Sequence, residues 1–287
     1  MILVGLGRYE EAREASARLQ QLSGGAHNAA LALLEYYCGH LDAALAQAQS
    51  VLPTDKQYDT MCGITALAWS MKGDPNQAIQ ALSYEPANVS KFYSAAGLSR
   101  VSASPDGPEF LELQQRKLAG VFQPARLVLL AGVYMSIERF EDAARALDQA
   151  EKVLGPEPGG QIAYWRHRAC CLAAQQKPAE TENCIGRMRE MVQQLPARAF
   201  LLETHFAAGR SYLYLGRFQD ALDELTESQR FLLHPIERHV TAYWLAQTHD
   251  AAGNKHEAAS LYRLVAADPI PSWMRKRAAG ALPGLNA

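Results

Sequence analysis

The densest cluster of chemically capable side chains is His234-Pro235-Ile236-Glu237-Arg238-His239, where two imidazoles and a carboxylate fall within six residues. These groups could ligate a metal ion. Their spacing does not match the helix-face pair of an H-E-x-x-H motif, so the segment reads as a solvated loop between helices. His205 and the pair His249-Asp250 could act as general bases, but they fall in helical stretches and read as packed or surface side chains. The cysteines are Cys38, Cys62, Cys170, Cys171 and Cys184. An odd count without C-x-x-C gives neither a zinc site nor a disulfide framework, and Cys170 and Cys171 fall on different faces of one helix. Gly5-Leu6-Gly7 lacks the third glycine of a phosphate-cradling loop, and Gly97-Leu98-Ser99-Arg100 lacks the closing glycine of a nucleophile elbow. The acidic pairs Glu10-Glu11 and Glu141-Asp142 recur where helices begin, and a helix dipole favours negative charge there. The residues therefore predict no catalytic group, no metal ligand and no cofactor: the chain is not expected to be an enzyme.

The elements that carry these residues belong to a folded chain. It has 287 residues, a formal net charge of −2, 48% hydrophobic residues and 20% charged residues. That is enough material for one large domain with a sizeable core. A charge this close to zero argues against nucleic-acid binding through phosphate neutralisation. No apolar run reaches the ~18 to 20 residues of a membrane helix. The start, Met1-Ile2-Leu3-Val4-Gly5-Leu6-Gly7-Arg8, lacks the basic region and cleavage site of a secretory signal. Unpaired thiols fit the cytoplasm, which is the expected location.

Internal repetition organises the chain. Gly7-Arg8-Tyr9-Glu10-Glu11-Ala12, Gly39-His40-Leu41-Asp42-Ala43-Ala44 and Gly73-Asp74-Pro75-Asn76-Gln77-Ala78 are copies of one segment. So are Glu138-Arg139-Phe140-Glu141-Asp142-Ala143, Gly216-Arg217-Phe218-Gln219-Asp220-Ala221 and Gly253-Asn254-Lys255-His256-Glu257-Ala258, with a weaker copy at Gln176–Thr181. A glycine that takes the left-handed conformation ends one helix, an apolar residue packs under the turn, acidic or amide residues open the next helix, and a small alanine lets two helices approach. The turn positions fall at 7, 39, 73, 138, 176, 216 and 253, and the one wide gap of 65 residues leaves room for a degenerate copy after Ala87.

This pattern resembles the tetratricopeptide repeat family. A small residue followed by an aromatic three residues on is present as Gly209/Tyr212, Ala131/Tyr134 and Ala66/Trp69. The alanine with a bulky residue four positions on is present as Ala78/Leu82, Ala143/Leu147, Ala221/Leu225 and Ala258/Tyr262. The resemblance implies an all-α, right-handed superhelical solenoid of antiparallel helix pairs, forming a single domain over 1–287. Its units are 1–24 (partial), 25–54, 57–86, 87–122 (degenerate), 124–157, 160–196, 199–235 and 237–269, with a capping helix and tail over 270–287. That makes about seven repeats. The capping helix is expected to set Trp273 and Met274 against the last unit and leave Arg275-Lys276-Arg277 in solvent. The first unit has only a few residues of its first helix, so the chain is expected to begin upstream of Met1 or to self-associate through that face.

The resemblance also implies that the first helix of each unit lines a concave groove. Carried over, the groove residues are Tyr36, Tyr37, Leu67, Met71, Arg166, Phe206, Arg210, Tyr214, Tyr243 and Gln247. Aromatic side chains and arginine are the types enriched at binding hot spots. The lysines and asparagines with which some family members clamp a chaperone tail are absent at the matching positions. The expected function is a non-catalytic scaffold holding a peptide or protein segment, without nucleic acid and without membrane insertion. The alternative is the soluble C-terminal regulatory or scaffolding half of a larger bacterial signalling or membrane protein.

Overall fold

A computed structural model of the chain describes residues 8–23, 28–51, 58–82, 124–156 and 158–285. All regular structure among them is helical, and no strand occurs among the described residues. The helices are α1 (Tyr9–Ser23), α2 (Asn28–Cys38), α3 (Leu41–Gln49), α4 (Tyr58–Lys72), α5 (Pro75–Leu82), α6 (124–136) and α7 (Phe140–Glu151). They continue as α8 (Pro158–Ala174), α9 (Pro178–Gln194), α10 (Arg198–Tyr214), α11 (Phe218–Ser228), α12 (Pro235–Ala251), α13 (Lys255–Ala267) and α14 (Trp273–Leu285). Neighbouring helices pack in pairs, and α8 also packs along α10 and α2 along α4. None of the described helices is long and apolar enough to cross a membrane.

One backbone device joins the pairs at six places. Gly39, Gly73, Gly216 and Gly253 have positive φ, and Glu138 and Gln176 adopt the same left-handed conformation at φ 61° and 57°. The amide after each turns back to a carbonyl five residues earlier: His40 to Glu35 at 2.9 Å, Arg139 to Tyr134 at 2.9 Å, Lys177 to Leu172 at 3.0 Å and Arg217 to Tyr212 at 2.9 Å. This satisfies a carbonyl that the helix end would otherwise orphan. The same residue then caps the next helix, and its carbonyl accepts from the amide four residues on, as Arg139 does from Ala143 and Arg217 from Ala221, both at 3.0 Å. The small residue at that place is fully buried at all six turns: Ala44, Ala78, Ala143, Thr181, Ala221 and Ala258 are all 0% exposed. A larger side chain there would hold the two helices apart. Gly209 meets the same need from the opposite helix, because a Cβ on it would lie 2.5 Å from Leu225 Cγ.

Three findings bear on the sequence expectations. The degenerate unit at 87–122 lies outside the described residues. The helices on either side of it touch directly: Val133 of α6 shares a cluster with Ala66, Ala78 and Leu82 of α4 and α5, and Arg126 Nε donates to the Leu82 carbonyl at 3.0 Å. Among the described residues α4 and α5 are thus followed directly by α6 in the packing. Second, the segment at 234–239 is not a solvated loop. His234 and His239 are buried, and the Glu237 carboxylate accepts from the Leu233 and His234 amides at 2.7 and 2.9 Å to cap α12.

The third finding concerns the two ends of the described chain, which meet. α12 packs on α2, and α14 packs on α4. Tyr9 Oη donates to the Leu233 carbonyl at 2.7 Å, and the Tyr37 ring lies 4.2 Å from the His234 ring, centre to centre. Leu41 and Met71 share one buried cluster with Tyr243, Ile270 and Met274. The inner helices therefore ring a partly open space whose two sides are joined by these contacts.

Candidate functional site

This partly open space is a cavity of about 220 Å³ bounded by α2, α4, α6, α8, α10, α12 and α14. Tyr36, Leu67, Met71, Arg166, Phe206, Arg210 and Tyr214 all line it. Three expected groove residues are placed elsewhere. Tyr37 packs against His234, Tyr243 is buried among Trp244, Tyr262 and Trp273, and Gln247 donates to the Tyr262 hydroxyl at 2.6 Å. The wall of α12 is made by Val240 and Trp244 instead. They stand four residues apart, on the stripe that continues Phe206, Arg210 and Tyr214 of α10, so the inner register of the last pair is shifted by one from the family-based placement. The sequence reading also missed His167, Glu138 and Arg277, which line the cavity too. Trp273 and Met274 do pack on the last pair as expected, and they also reach the cavity.

Arg210 is the chemical centre of this wall. Its guanidinium carbon lies 4.1 Å from the Trp244 ring centre, 5.8 Å from that of Phe206 and 5.9 Å from that of Tyr214. A cation over ring faces is held by their quadrupoles, and more strongly away from water. Arg210 Nη2 donates to the Tyr214 hydroxyl at 3.3 Å, while its Nε–H is buried without an acceptor. Among the described residues no carboxylate forms an ion pair with it.

Arg166 differs. It pairs with Glu203 through Nη1, and its Nη2 donates to His167 Nε2 at 2.8 Å. Arginine only donates, so this nitrogen of His167 must carry a lone pair and the ring proton sits on Nδ1. Burial, reinforced by the positive charges of Arg166 and Arg210, pushes the His167 pKa well below the ordinary imidazole value. The ring is neutral at physiological pH. Gly132 gives it room: a Cβ there would lie 2.9 Å from His167 Cε1. Burial also raises the Tyr36 pKa, so its hydroxyl stays protonated on this wall.

Towards solvent the cavity continues into an outer depression of about 330 Å³, lined by Gly73, Pro75, Ile137 and others. The two spaces share Ser70, Ser136, Glu138, Trp273 and Arg277. Arg277 and Glu138 stand at this shared rim with 3.7 Å between Nη1 and Oε1, both largely exposed. The site is thus a partly open, apolar and aromatic pocket that among the described residues carries one uncompensated guanidinium inside and an ion pair at its mouth. Such an arrangement can bind and orient a group. Among the described residues no three His, Cys, Asp or Glu side chains come together to hold a metal ion. No protein-family model matches the chain, and no curated protein matches it either.

Proposed function

We propose that this chain is a non-catalytic scaffold of the tetratricopeptide type, a right-handed solenoid that holds a segment of a partner protein on its inner face. The six equivalent turns, each followed by a buried small residue, support the repeat reading. The single observation that carries the functional reading is Arg210. A guanidinium set among Phe206, Tyr214 and Trp244, without a carboxylate of its own, is a recognition group for a complementary anion with apolar flanks. The outer depression, rimmed by Glu138 and Arg277, gives the partner segment its approach.

A photo-reactive amino acid placed at Leu67, on the cavity wall, tests the reading against one placed at Leu264, which is 61% exposed elsewhere on the surface. The partner is expected to cross-link from position 67 and not from position 264. Cross-linking from position 264 alone would move the binding surface away from the inner helices.

A further inference from the structure

We propose that the chamber around Arg210 also binds a small free monocarboxylic acid with a compact apolar body. The balance of charge in the lining decides the head group. Arg166 is neutralised by Glu203, and Arg277 faces Glu138 at 3.7 Å. His167 is neutral between its two arginine neighbours. Among the described residues one positive charge, that of Arg210, is left over. A carboxylate offsets it, whereas a phosphate monoester would bring about −1.5 to −2. The buried Nε–H groups of Arg210 and Arg166 both lack an acceptor, and an acceptor-only anion answers that deficit.

The shape and chemistry of the remaining wall decide the body of the ligand. Leu67, Met71, Phe206, Trp244, Trp273 and Met274 present apolar and aromatic surface to it. A cavity of about 150 Å³ holds benzene, so the present one takes roughly ten non-hydrogen atoms. That matches the size of a short-chain acid bearing a ring. The outer depression supplies a path from solvent past Trp273 and the Arg277–Glu138 pair. This inference uses the same inner face as the proposed scaffold but does not rest on a protein partner.

The test is a titration of the full chain with 3-phenylpropionate, followed by tryptophan fluorescence, because Trp244 and Trp273 line the chamber. The neutral amide of the same acid is titrated in parallel. The expected result is a saturable change with the acid and binding at least about tenfold weaker with the amide, since only the acid offsets the charge of Arg210. Arg210→Met is expected to weaken the acid at least about tenfold. Arg187→Met, which removes a guanidinium stacked on Trp165 outside the chamber, is expected to change nothing. Equal binding of acid and amide would overturn the proposal, as would the lack of a saturable change with the acid up to about 10 mM. Should Arg210→Met fail to fold, the acid–amide comparison on the unaltered chain decides alone. Binding of a peptide ending in phenylalanine, with none of the free acid, would overturn this inference and leave the scaffold reading in place. Binding of the acid without a partner cross-link from position 67 would do the reverse.

Discussion

Ile270 covers Gly39 so closely that a Cβ at residue 39 would stand 2.5 Å from Ile270 Cγ1. The two residues belong to opposite ends of the described chain. A second contact of the same kind sets Trp273 Cβ 2.9 Å from where a Cβ on Gly73 would be. Two successive repeat turns of the N-terminal half are thus covered by the segment that ends the chain. These contacts join the two sides of the partly open inner face.

This joining can be measured by alanine substitution at equivalent turns. Gly73 and Gly253 have φ of 84° and 83°, but a Cβ on Gly253 meets nothing within 4 Å. Gly253→Ala therefore reports the backbone cost of the left-handed conformation alone, roughly 1–2 kcal/mol. Gly73→Ala carries the same cost and also displaces Trp273 at its Cβ, which cannot swing away. Urea unfolding is expected to show Gly73→Ala about 1–2 kcal/mol less stable than Gly253→Ala. Equal losses would mean that α14 does not lie on the Gly73 turn.

Within a helix pair, Gly209 and Gly186 give opposite expectations. A Cβ on Gly209 would come within 2.5 Å of Leu225 Cγ and 3.1 Å of the Leu225 backbone nitrogen. Gly209→Val is expected to wedge α10 from α11 and cost more than about 2 kcal/mol. Gly186 lies inside α9 with open space where its Cβ would be. Gly186→Ala is expected to stabilise the chain by about 0.5–1 kcal/mol, the helix-propensity difference. Thermal unfolding of the two variants checks both signs.

Stability is expected to fall on mild acidification. Burial lowers the pKa values of His167, His234 and His239 in the folded chain. The unfolded chain therefore takes up protons near pH 6.5 that the native chain refuses. The stabilisation is complete above about pH 6.5 and is lost as the pH falls from there towards the folded pKa values. At pH 5.5 each imidazole contributes a loss of at most about 1.4 kcal/mol. For His167 the charges facing the ring are those of Arg166 and Arg210, both of which oppose its protonation. His167→Gln is thus expected to reduce the difference between urea midpoints at pH 7.5 and pH 5.5. An unchanged difference would place the imidazole in solvent.

Much of this architecture is legible in the sequence because it is local. Gly39, Gly73, Gly216 and Gly253 announce left-handed turns by residue type. Glu138 and Gln176 are betrayed only by their place in the repeat, yet all six residues have positive φ. The inner positions of α10 are those that the family resemblance implies, and Phe206, Arg210 and Tyr214 face one cavity. Less local features are not legible. Tyr243 and Trp244 are adjacent aromatics, and only the packing of Tyr243 against Tyr262 and Trp273 decides which of the two faces inward. The contacts of Ile270 with Gly39 and of Tyr9 with Leu233 join residues more than 200 positions apart, with no local pattern to mark them. The direct contact of α4 with α6 is hidden for the same reason.

The most direct test of the central claim, that Arg210 and its aromatic surround hold a partner, is a quantitative affinity capture from the native host. The unaltered chain is compared with the Arg210→Glu, Tyr214→Ala double variant, and the bound proteins are measured by mass spectrometry. The substitution reverses the charge that no carboxylate among the described residues compensates, and it removes the ring that Arg210 bonds to. The account predicts a partner held by the unaltered chain and reduced at least about tenfold by the folded variant. The same partners in the same amounts from both chains would contradict it.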